Sequence, residues 1–166
     1  MRNPTILMLA GLLILVAPTR TDAQDEDTPA PVVPKQVVST DPLWLRYGWL
    51  NGEYERKIGR AWTSGVSGSY SAFNTPTFSY VNLMLRYYPH RAALTGFYVG
   101  ATAGAYTANT RTRVGYQAGY ELGYAWLVGP RRNISLNLRG AHPHLPGPAF
   151  LFPRGNIGVF SVGFAF

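Results

Sequence analysis

The sequence predicts an all-β protein, an eight-stranded antiparallel up-and-down transmembrane β-barrel, over residues 36 to 166. Three observations carry that prediction. Apolar residues alternate with small or polar ones in segment after segment, the period of a sheet with two unlike faces. The polar face consists of Gly, Ser, Thr and Asn with a few isolated charges, and the apolar face is rich in Tyr, Phe and Trp. A soluble sandwich puts a charged polar face outside; a small polar face opposite an aromatic one suits a closed sheet with lipid outside and a narrow lumen. Lastly, the longest connection and the shortest fall at opposite ends of the strands, as outer-membrane barrels prefer.

The chain opens with a segment outside this fold. "MRNPTILMLAGLLILVAPTRTDAQ" has a basic start at Arg2, an apolar run from Thr5 to Ala17 and a small-residue exit at Thr21 and Ala23. Those three parts predict a signal peptide over residues 1–23, cleaved after Ala23. The run is shorter than the ~20 residues a spanning helix needs. Residues 24–35, "QDEDTPAPVVPK", hold three acids and three prolines without an apolar period, and read as a flexible lead-in.

The strands follow in order. "DPLWLRYGWLNGEYERKI" is divided into a first strand near Val37 to Leu45, a tight turn at Tyr47 and Gly48, and a second strand from Trp49 to Lys57, because bacterial barrels have even strand counts. In "WTSGVSGSY", Trp62, Val66 and Tyr70 oppose Thr63, Gly65, Ser67 and Ser69. "YVNLMLRYY" sets Val81, Leu83, Leu85 and Tyr87 against Asn82, Met84, Arg86 and Tyr88. "FYVGATAGAY" sets Phe97, Val99, Ala101 and Ala103 against Tyr98, Gly100, Thr102 and Gly104. In "VGYQAGYELGYAW", Val114, Tyr116, Ala118, Tyr120, Leu122, Tyr124 and Trp126 share the outer face. "NISLNLR" places Ile134, Leu136 and Leu138 outside, and the last strand does so with Phe160, Val162, Phe164 and Phe166. With the C-terminus periplasmic, the connections 73–77, 107–112 and 142–155 lie outside the cell, and 58–60, 89–95 and 128–132 inside. Trp62, Tyr70, Tyr87, Trp126 and Phe166 sit near strand ends, where interfacial aromatic girdles form.

Charge narrows the partners. The chain has 15 basic and 8 acidic residues; removal of residues 1–23 takes Arg2, Arg20 and Asp22 and leaves a net charge of +6. From Asp41 onward, 12 Lys or Arg stand against Asp41, Glu53, Glu55 and Glu121. An exported basic surface meets lipid phosphates first, so outer-membrane lipid and lipopolysaccharide are the expected partners and nucleic acid is not. The lack of cysteine excludes disulfides, thiolate metal sites and a thiol-linked lipid anchor. No cofactor, no metal and a monomeric state are expected.

Glu53, Glu55, Glu121, Arg86 and Arg139 are the candidates for a site. Alternation turns Glu121, Arg86 and Arg139 inward, and Glu55 as well if Tyr54 points outward. These four are expected to form a lumen ion-pair network, since an unpaired buried charge costs several kcal/mol. Such a plug outweighs a proton relay or conducting path. His142 and His144 in "AHPHLPGPAF" fall in an outer loop without Cys, Asp or Glu nearby, too few ligands for a metal site. A lipid-modifying enzyme would use a rim histidine with Ser or Asp, and no such pairing is local to either. Arg111, Arg113 and Arg154 in outer loops are candidates for lipid-phosphate contacts. Lys57, Arg60, Arg91, Arg131 and Arg132 gather at the inner rim.

"NGEYERKIGRAWTSGVSGSY", "LRYYPHRAALTGFYVGATAGAY" and "GYELGYAW", closed by a terminal Phe, together resemble small outer-membrane β-barrel proteins. The nearest likeness is to a family in which a Tyr-Glu-Arg strand end, an Arg-Tyr-Tyr-Pro strand end and a Gly-Phe-Tyr-x-Gly strand start recur. More broadly the chain is similar to the eight-stranded OmpA and OmpX type, over residues 40 to 166. The resemblance implies that Val162, Phe164 and Phe166 form the signal read by the barrel-assembly machinery during insertion. It also implies a location in the outer membrane of a diderm bacterium. The expected role is structural or adhesive, non-enzymatic and without a sizeable pore. The alternatives are a lipid-modifying enzyme and a soluble periplasmic lipocalin-like barrel, the latter requiring the aromatic face to turn inward.

Overall fold

A computed structural model describes residues 33–71, 78–90, 92–108, 114–144 and 157–166. The expected segment 1–23, residues 24–32 of the lead-in, Arg91, Arg111, Arg113 and Arg154 lie outside the described residues. Among those described are eight strands and one short helix: β1 (Gln36–Thr40), α1 (Pro42–Leu45), β2 (Trp49–Lys57), β3 (Trp62–Ser71), β4 (Phe78–Tyr87), β5 (Gly96–Ala108), β6 (Gly115–Val128), β7 (Ile134–His144) and β8 (Ile157–Ala165). Each strand pairs antiparallel with its neighbours, and β1 pairs with β8, so the sheet closes into an up-and-down barrel. Where it closes, Val37 stands opposite Ala165 and Thr40 opposite Val162. The Phe166 carbonyl accepts from the amides of Lys35 and Gln36, each at 2.9 Å.

Two boundaries differ from the sequence reading. The first strand does not run to Leu45; it stops at Thr40, and Pro42–Leu45 form α1. The cause is local: Asp41 Oδ1 accepts from the amides of Leu43 (2.9 Å) and Trp44 (3.4 Å), and Pro42 brings a preset φ to the first helical position. The turn at Tyr47 and Gly48 is present, with Gly48 at φ +77°. At the other boundary β7 continues to His144, so His142 and His144 belong to a strand rather than an outer loop. Tyr120 stands opposite His142 in the sheet, and their rings stack at 5.2 Å on the outer surface.

Alternation sorts the two faces. Leu83 (68 % exposed), Tyr116 (72 %) and their outward neighbours Val81, Tyr120, Leu122, Leu138 and Phe164 cover the outside with apolar surface. Inside, β5 and β6 solve a packing problem. Directly opposed side chains lie ~5 Å apart, and in a barrel of eight strands the inward ones converge. Each inward pair along these two strands includes a glycine: Gly96 with Ala125, Tyr98 with Gly123, Gly100 with Glu121, Thr102 with Gly119, Gly104 with Gln117, Tyr106 with Gly115. A Cβ on Gly123 would meet Tyr98 Cζ at 2.5 Å, and one on Gly100 would meet Glu121 Cγ at 2.9 Å.

The end of the barrel that holds the β4–β5 connection is filled. Ala93 and Leu94 from that connection fold inward and are buried. Ala93 joins Tyr88, Tyr98 and Ala125, while Leu94 packs with Val37, Ala165 and Leu127. Leu94 holds φ +75°, a backbone conformation that side chains other than glycine rarely adopt.

Candidate functional site

The charged residues of the lumen come from four strands. Glu53 and Glu55 are two apart on β2 and therefore share its inward face; Arg86 is on β4, Glu121 on β6 and Arg139 on β7. Tyr54 lies between the two glutamates on the outward side, and its hydroxyl donates to Gln36 Oε1. The barrel thus brings Glu55, Arg86, Glu121 and Arg139 together, and Glu53 joins them as a fifth member.

Arg86 is fully buried and serves all three carboxylates. Its Nη1 lies 2.8 Å from Glu53 Oε1 and also donates to Glu55 Oε2, while Nε donates to Glu121 Oε1. Arg139 donates through Nη1 to Glu53 Oε2, and its Nε lies 3.7 Å from Glu121 Oε2. Thr63 Oγ1 and the Tyr88 hydroxyl (3.0 Å) both donate to Glu55 Oε1. Each of the six carboxylate oxygens therefore has a partner. Beneath the cluster, the Arg86 guanidinium carbon stands 4.7 Å from the centre of the Tyr98 ring, whose hydroxyl donates to Asn137 Oδ1 at 2.9 Å.

Burying charge is costly, and good geometry with every polar atom satisfied is what offsets that cost. Three carboxylates against two guanidiniums leave the cluster one negative charge in excess. Its residues are acids and bases locked to one another, with no thiol or imidazole among them. No group of three or more His, Cys, Asp or Glu among the described residues could hold a metal ion. The arrangement crosses the lumen and ties β2, β4, β6 and β7 together.

Beyond this cluster, on the side of α1, lies a cavity of about 140 Å³. Its walls include Ser39, Asn51, Ser69, Asn82 and Gln117, together with Trp49, Tyr80 and the upper edges of Glu53, Glu121 and Arg139. Gln117 Nε2 donates to Asn82 Oδ1 across it. Toward the end of the barrel, Phe78 and Tyr106 stack at 5.8 Å with Trp49 and Tyr80 packed around them.

The other anticipated residues are dispersed. Val162, Phe164 and Phe166 lie on the outer face of the closing strand and its end, with the rings of Phe164 and Phe166 stacked at 6.3 Å. Arg60, Arg131 and Arg132 are exposed at the filled end, and Lys57 is half-buried there. His90 is exposed in the β4–β5 connection, far in sequence from His142. Three features escape a reading of the sequence: the capping Asp41, the inward turn at Leu94, and the full share that Glu53 takes in the cluster. A signal for the first was present as Asp-Pro, an N-cap followed by a residue suited to the first helical turn. No family model, no curated protein and no solved structure matches the chain, so its function has to be argued from the barrel and its contents.

Proposed function

We propose that the chain is a small integral outer-membrane barrel with a structural or surface-interaction role, surrounded by lipid and closed to conduction. One observation carries this reading: the barrel is inside out relative to a soluble protein. The four acidic residues that follow residue 36, Asp41, Glu53, Glu55 and Glu121, are all buried, as is Arg86, while Leu83 and Tyr116 are two-thirds or more exposed. Water would penalise that arrangement, whereas hydrocarbon favours it. A lining of ion pairs and an inward turn at one end occupy the interior with side chains apart from the cavity beside α1, in keeping with the narrow lumen of eight strands.

The basic residues left outside support an association with anionic headgroups. Lys35, Arg46, Arg56, Arg60, Arg131 and Arg132 are exposed, and no acidic residue of the barrel accompanies them. The enzyme reading loses support because His142 is stacked on Tyr120 at the outer surface. The ligand-carrying soluble barrel loses support because the broad apolar surface faces outward.

Fractionation of cells expressing the native chain tests the reading. The protein is expected in the outer membrane, with a gel mobility that changes on boiling in detergent. Recovery in the aqueous periplasmic fraction, with no heat-dependent shift, overturns it.

A further inference from the structure

The cavity beside the ion-pair cluster has the charge, size and unmet hydrogen-bonding capacity of a binding site. Its wall carries three carboxylates, from Asp41, Glu53 and Glu121, against the single guanidinium of Arg139. The glutamates are fully engaged; Asp41 is not. Asp41 is 4 % exposed, and Oδ2 finds no hydrogen-bond partner among the described residues. The residue is nonetheless held firmly. Oδ1 caps α1, the amide donates to Asn51 Oδ1 at 2.6 Å, and the carbonyl accepts from Asn51 Nδ2 at 3.1 Å. Ser161, also 4 % exposed and lining the cavity, has an unpartnered Oγ. Thr40, the last residue of β1, stands opposite Val162, so Asp41 just beyond β1 follows the strand end that adjoins Ser161 of β8.

A buried carboxylate oxygen without a donor costs free energy, and its persistence in a fixed geometry calls for an explanation. We propose that the cavity binds a small organic ammonium ion, whose N–H groups donate to Asp41 Oδ2 and Ser161 Oγ. The alkyl part lies against Trp49 and Tyr80, aromatic faces that attract a cation and its adjoining methylenes. The volume suits such a ligand, since a cavity of ~150 Å³ accommodates a molecule of benzene's size. An anion would meet three carboxylates. A hard metal ion such as calcium would need about six to eight oxygen ligands, which this partly aromatic wall does not supply. The proposal is independent of what surrounds the barrel, because the cavity lies inside it.

The test is calorimetric titration of the purified full chain, in zwitterionic detergent micelles, with n-butylammonium and with n-butanol as the uncharged control. The amine is expected to bind and the alcohol not. The exposed ionised side chains of the described barrel are basic, and the n-butanol control with the Asp41→Asn comparison separates uptake in the cavity from any at the acidic residues 25–27. Asp41→Asn retains an N-cap acceptor, which keeps α1 in place, and replaces the free oxygen by an amide nitrogen, which only donates. It is expected to weaken amine binding by about tenfold or more, the loss of one charge-assisted hydrogen bond. Ser161→Ala leaves α1 untouched and is expected to weaken binding by a few-fold, so the comparison survives any misfolding of the first variant. Absence of amine binding, equal binding of the alcohol, or unchanged affinity in folded Asp41→Asn overturns the proposal.

Discussion

Arg86 satisfies three carboxylates in a space that admits no solvent to it, so its removal exposes the logic of the cluster. Arg86→Met keeps most of the side-chain volume, leaves Glu53 and Glu121 with Arg139 as their one cation, and leaves Glu55 with the hydroxyls of Thr63 and Tyr88. Breaking a buried ion pair on one side costs about 3–5 kcal/mol, and the urea midpoint of the variant refolded in micelles is expected to fall accordingly. An unchanged midpoint would mean that the carboxylates find other partners. Gly123 is the converse case, a residue whose value lies in what it lacks. Gly123→Ala drives a methyl into the Tyr98 ring and is expected to cost about 1–3 kcal/mol. Combined with Tyr98→Leu the two costs should not add, because they share one contact; additive costs would place the clash elsewhere. Parity in the sequence already turned Arg86, Glu121 and Arg139 inward. Glu53 was a candidate but not one of the four expected in the network; it shares the parity of Glu55 and meets an arginine 86 residues away, a distance that no local pattern reports.

At the scale of elements, β3 to β6 and β8 were legible because alternation persists for many residues and a one-residue slip would reverse both faces. The ends were harder to read. In β1 an Asp-Pro pair overrides a continuing apolar pattern, and in β7 three prolines after His142 suggest a loop although the strand continues past the first of them. The inward turn at Leu94 had no period to betray it, only two alanines and a leucine in an otherwise polar connection. Its backbone supplies a sharp prediction. Leu94→Ala removes a buried side chain and retains the strained φ, and is expected to cost about 2–5 kcal/mol in urea unfolding. Leu94→Gly removes one carbon more yet should cost less, because glycine adopts φ +75° without the ~1–2 kcal/mol penalty of a side chain there. The reverse order would show that the turn is not strained.

For the whole molecule, the proposed outer-membrane location makes the separation of charges a determinant of insertion. Refolding into vesicles that contain anionic lipid is expected to be faster than into purely zwitterionic ones, and added salt should shrink the difference as the rim arginines are screened. Equal rates at low salt would remove the exterior charge from the account of insertion. On the proposed reading the same barrel in a planar bilayer is expected to show no steady conductance, because ion pairs cross the lumen and Leu94 is buried at one end. The burial of all the barrel's acids has a further consequence for how the protein behaves in a separation. From residue 36 the chain carries four acidic residues, and the lumen withdraws all of them together with two arginines. Folding therefore leaves the net charge as it is but changes which charges an ion-exchange resin touches: on the described barrel every exposed ionised side chain is basic.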